Sequence, residues 1–112
     1  MTHSKKQKQA IFNGAVLNMI RAERFNAFDG ERIARALDEN RQLWDAAWWD
    51  MQGPEDPALK VLDPVRGDTL YLRAKGGNLN WAKLDKLVGS FKASNIASRE
   101  VDGKYVVAAW WD

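Results

Sequence analysis

The chain contains no cysteine. Disulfide frameworks, thiol nucleophiles and thiolate metal sites are therefore excluded together, and the composition suits a reducing cytoplasm. Histidine is almost as scarce: His3 is the sole example, in a polar terminal segment expected to fray. Tetrahedral zinc sites and Ser-His or Cys-His triads thus lack the side chains they need. No apolar run approaches the roughly 20 residues that span a bilayer. Residues 11–18 are broken by Asn13, Gly14 and Asn18 and show no small-residue cleavage site, which argues against a signal peptide. The reading that follows is a cytoplasmic protein, complete from Met1 to Asp112.

Charge of one sign is also lacking, since the net charge is only +2. Its distribution alternates. Residues 1–28 carry five basic side chains against Glu23, residues 29–56 carry eight acidic against three basic, and residues 57–112 carry nine basic against six acidic. Such a chain is neither a DNA mimic nor a uniformly basic nucleic-acid binder, and its middle can pair with its flanks within one fold.

What is present fits one globular domain spanning residues 1–112. The 112 residues are 46% hydrophobic and 29% charged, and a chain of that size buries roughly two thirds of its unfolded surface. Residues 5–24 place Ile11, Phe12, Ala15, Val16, Met19 and Ile20 at spacings of three and four, the pattern of an amphipathic helix. A second helix is expected from an Asp29 N-cap to Gly53-Pro54. Phe28 and Ile33 have the spacing of a hydrophobic staple there, and Glu31–Arg35 and Arg41–Asp45 form surface pairs. Together, residues 5–52 read as a helical hairpin. After a linker at 53–58, short β-type runs at 59–62 and 69–74 flank a turn-rich loop. A third helix follows at about 80–92, and Asp102-Gly103 marks a type I′ hairpin between 95–101 and 104–111. That register sets Glu100 opposite Tyr105 and Arg99 opposite Val106. No internal repeat is read. The expected fold is α+β: an N-terminal helical hairpin, then a β-β-α-β-β unit over 59–111 forming a small, mostly antiparallel sheet (order α-α-β-β-α-β-β).

The chemical inventory is thin. The carboxylates Glu55, Asp56, Asp63 and Asp68 lie in loops without the spacing of a calcium loop, so a metal-dependent enzyme on loop carboxylates is the least favoured reading. Gly76-Gly77-Asn78 precedes a helix but matches no phosphate-binding fingerprint. No cofactor and no catalytic or metal-binding residue is assigned. Tyr71 and Arg73 alternate on one strand face, and Lys75, Lys83 and Lys86 extend it into a basic, aromatic surface of the kind that stacks and neutralises nucleic acid. Nucleic-acid binding is the alternative reading.

The leading reading comes from six tryptophans. They represent on the order of 1,000 Å² of apolar surface, too much to leave in water. Trp44 and Trp48, one helical turn apart, and Trp81 are expected in the core. The adjacent pairs Trp48-Trp49 and Trp110-Trp111 point apart, so Trp49 with Trp110 or Trp111 is expected to form an exposed anchor patch. On this reading the chain is a non-enzymatic binding or regulatory module that engages a protein partner or a second copy of itself.

Overall fold

In the computed structural model, residues 5–25, 28–50 and 68–111 are described. The first helix, α1 (Lys5–Arg21), buries Asn13, Val16, Leu17 and Ile20, the three-and-four spacing of one helix face. A two-residue ladder, β1 (Arg24–Phe25) with β2 (Phe28–Asp29), turns the chain into α2 (Gly30–Glu39). Asp29 caps that helix, its Oδ1 accepting from Arg32 N at 3.2 Å. Gly30 makes the turn sterically feasible, because its N–H donates to Glu23 O at 3.1 Å and a Cβ there would lie 1.8 Å from Ile20 O.

The second helix is shorter than its spacing predicts. Asn40 stops it: the backbone N–H bonds Leu37 O and the side-chain Nδ2 bonds Ala36 O at 2.8 Å, so the chain's own amide closes the last turn. The segment expected to complete a helical hairpin over 5–52 is instead β3 (Trp44–Asp50). The helical pair Arg41–Asp45 is accordingly not formed. Arg41 Nε bonds Asp38 Oδ1 at 3.2 Å, and Asp45 Oδ1 accepts from Arg73 Nε at 2.6 Å. Glu31 and Arg35 do pair, at 3.4 Å. The expected strand at 59–62 and linker at 53–58 lie outside the described residues.

The remaining elements are β4 (Asp68–Ala74), α3 (Asn78–Gly89), β5 (Asn95–Val101) and β6 (Lys104–Trp111). Apart from the two-residue ladder, the order is α-α-β-β-α-β-β, a small α+β fold. The four long strands form one antiparallel sheet in the order β3-β4-β6-β5. Asp102 and Gly103 have φ of 53° and 76°, the type I′ geometry, and Glu100 pairs with Tyr105 and Arg99 with Val106.

All three helices contribute to the core on one sheet face. Val16, Leu17 and Ile20 of α1, Ile33 and Leu37 of α2, and Leu84 and Val88 of α3 pack with Trp44, Trp49, Leu70, Leu72, Val107 and Trp111. A smaller buried cluster, Ala46, Tyr71, Val106 and Ala108, lies on the opposite face with Trp48 against it. Helix α1 runs beside the β3 edge. The Asn13 side chain donates to Asp45 O at 2.9 Å and accepts from Ala47 N at 3.3 Å, so one amide supplies the two bonds a neighbouring strand would make. Phe12 then reaches round that edge to stack on Trp48, with ring centroids 5.4 Å apart.

Candidate functional site

The expected aromatic patch does not assemble. Trp49 and Trp111 are buried, 5% and 2% exposed, and with Phe28 they form an interior triad with centroid separations of 4.5, 4.8 and 6.0 Å. Trp111 also donates Nε1–H to Phe91 O. Trp110 is half-buried and points to the other sheet face, as alternation along a strand requires. The cause is the strand at 44–50: alternation sends Trp49 inward with Ala47 and turns Trp48 outward, and the register shift between Trp44 and Ala46 brings Trp44 to the inner face as well. Trp44 is core as expected and donates to Leu37 O at 2.9 Å. Trp48 is half-buried, and among the described residues its Nε1–H has no acceptor.

Trp81, expected in the core, is half-buried on α3. Its ring stacks on Tyr105 at 4.9 Å and its Nε1–H bonds Gly76 O. Tyr105 in turn donates to Asp85 Oδ2 at 2.7 Å, and desolvation together with that bond holds its phenol above the ordinary 10.0.

Two surfaces do assemble. The first is the outer side of α1, where Ile11, Phe12 and Met19 are 58%, 43% and 48% exposed and Ala15 lies between them. These residues belong to the apolar spacing visible in the sequence, but only Val16 and Ile20 of that set turn inward. The second lies at the end of the molecule where the α2–β3 turn (residues 40–43), the end of β4 and the start of α3 meet.

A groove of about 530 Å³ is lined there by Gln9, Asn13, Arg41, Trp44, Asp45, Arg73 and Lys75, among others. A second, of about 440 Å³, includes Asn40, Gln42, Asn80, Lys83 and Lys86 in its walls. The turn 40–43 separates them, with Arg41 on one side and Asn40 and Gln42 on the other. Lys75 joins them, since its N–H donates to Leu43 O at 2.9 Å and its carbonyl accepts from Asn80 Nδ2 at 2.6 Å.

Of the residues expected to contact nucleic acid, Arg73, Lys75, Lys83 and Lys86 are brought together around these grooves. Tyr71 is not: it shares the strand face of Arg73, as alternation predicts, but is 1% exposed and packed in the smaller cluster. Arg41 was missed because residues 41–45 read as helix. It lies 4.9 Å from the centroid of the Trp44 ring, held by Asp38.

Among the described residues, no three of His, Cys, Asp and Glu come together to hold a metal ion. The carboxylates Glu55, Asp56 and Asp63 lie outside the described residues. Also among the described residues, no helix is long and apolar enough to cross a membrane. The fold and these surfaces define a small α+β protein with an exposed apolar helix face and a basic cleft. No protein-family model matches the chain, and no curated protein or solved structure is significantly similar to it.

Proposed function

We infer that this protein is a non-enzymatic, cytoplasmic interaction module and that its docking surface is the outer face of α1, with a second copy of the chain as occupant. The observation that carries this reading is the exposure of Ile11, Phe12 and Met19 on one side of a helix whose other side is core. Grouped apolar side chains of this size on a monomer's surface mark interaction sites, whereas scattered ones do not.

The arrangement is self-complementary. Ile11 and Met19 each lie four residues from Ala15, so two α1 helices crossing antiparallel at Ala15 bring Ile11 of one against Met19 of the other, twice. The small central side chain allows helix axes to approach to about 8 Å. Lys8, exposed one turn before Phe12, then falls beside the C-terminal carbonyls of the partner helix, where a cation is favourable.

Sedimentation over a concentration series tests the reading. The wild type sediments as a dimer, and Ala15→Arg sediments as a monomer with an unchanged circular dichroism spectrum, because Ala15 is exposed in the single chain. A monomeric wild type, or a dimer indifferent to Ala15→Arg, would overturn it.

A further inference from the structure

We propose that the paired grooves around the α2–β3 turn bind single-stranded nucleic acid, with the strand crossing the turn at residues 40–43. This surface does not involve the outer face of α1, and the proposal stands independently of self-association.

Its basis is the combination of charge, shape and fixed geometry. One groove presents Arg41, Arg73 and Lys75, the other Lys83 and Lys86. The acids held among these five cations are Asp38 and Asp45, each bonded to one arginine. Both contacts run through Nε, which orients each guanidinium while leaving its Nη edge for an acceptor. Arg73 is the more firmly placed, with a side chain only 18% exposed and a 2.6 Å bond. Arg41 is further steadied against the Trp44 ring. Guanidinium groups fixed in this way lose little rotamer freedom on meeting a phosphate.

The occupant follows from the spacing of charge and amide. A small phosphorylated metabolite would need cations converging on one point, but here they are spread over two grooves divided by a turn. A polyanion is required. Between the cations stand Gln9, Asn40, Gln42 and Asn80; Gln9, Asn40 and Asn80 each spend one amide N–H within the fold, and a carbonyl oxygen and a second N–H remain on each to meet the edges of unpaired bases. Duplex DNA is read by a projecting helix or ribbon that enters its groove. This surface is concave and suits a single strand, whose backbone can follow the turn while its bases lie in the clefts.

Fluorescence anisotropy with a labelled single-stranded oligothymidylate, the same-length duplex as comparison, tests this. Five cations less two carboxylates leave three net charges. At about −0.7 per phosphate, log affinity should fall with a slope near −2 against log salt, roughly 20-fold between about 50 and 200 mM. Lys75→Gln should weaken binding and flatten that slope by about 0.7, and the double variant Lys83→Gln/Lys86→Gln by about twice as much. These three lysines are exposed, so the fold is retained. Arg35→Gln, whose residue lines neither groove, should bind as wild type. The proposal is overturned if the single strand gives no anisotropy change at low salt. It is equally overturned if the duplex binds as tightly as the single strand, or if the lysine variants bind unchanged.

Discussion

The two edges of the sheet are finished in different ways. On β3, the outward backbone groups of Asp45 and Ala47 are taken by the Asn13 amide, and α1 packs beside the strand. On β5, the type I′ turn pairs Val101 with Lys104, so the alternate residues Ile96, Ser98 and Glu100 direct their amides away from β6. That edge is guarded by composition: Asn95, Ser98, Arg99 and Glu100 are all exposed and polar or charged. One edge is closed by a long-range contact, the other by local chemistry. The first should be costly to disturb and the second cheap.

The largest effect is expected where α1, the helix that closes the β3 edge, is locked to the start of α2. Gly30→Ala would drive a Cβ into Ile20 O and Glu23 O, both backbone atoms that side-chain rotation cannot relieve. A loss of about 3 kcal/mol or more is expected in urea unfolding, at the upper end of overpacking costs. An unchanged midpoint would mean that the two helices are not locked.

A smaller loss, about 2 kcal/mol, is expected for Asn13→Ala, which strands an acceptor at Asp45 and a donor at Ala47. Hydrogen exchange gives the sharper view. In the wild type the Ala47 amide should be protected and that of Ser98 should exchange freely, and in Asn13→Ala the two should converge.

The smallest effect belongs to the β5 side. The Tyr105 phenol is raised above 10.0, first by desolvation and then by its bond to Asp85. The folded state therefore favours the protonated phenol. Its contribution to stability is complete below pH about 10 and is lost as pH rises through the folded-state value. A slight alkaline decline in thermal stability should thus be present in the wild type and reduced in Tyr105→Phe. Equal declines would separate Tyr105 from the packing of α3 on β6.

Much of the β5 side was legible in the sequence. Asp102-Gly103 dictates its hairpin from two adjacent residues, and the Asp29 cap announces α2 in the same way. The β3 side was not. Trp44, Ala47, Trp48 and Met51 have helical spacing, no glycine or proline intervenes, and the stop at Asn40 depends on an amide that is equally at home in other roles. What makes 44–50 a strand is pairing with β4, from Trp44 opposite Ala74 to Asp50 opposite Thr69, partners far apart in the chain. One signal was present: the pentapeptide Ala-Ala-Trp-Trp-Asp occurs at both 46–50 and 108–112, despite the reading that the chain holds no repeat. Placed as a strand in the second copy by the hairpin, it should have been a strand in the first. The basic cleft was partly legible for the same reason. Arg73, Lys75, Lys83 and Lys86 sit on elements correctly read, whereas Arg41 depended on the misread one.

That doubled pentapeptide has an optical consequence. Its copies flank β4 with a two-residue offset, Trp49 opposite Leu70 and Trp111 opposite Asp68, and this brings their indoles to 6.0 Å at 64°. Two identical chromophores so close and so inclined couple their excited states, and the sign and size of the resulting dichroic couplet report how three strands are aligned. A slip of one residue in either strand would turn an indole to the opposite face and extinguish it. The molecule thus carries its own gauge of sheet register.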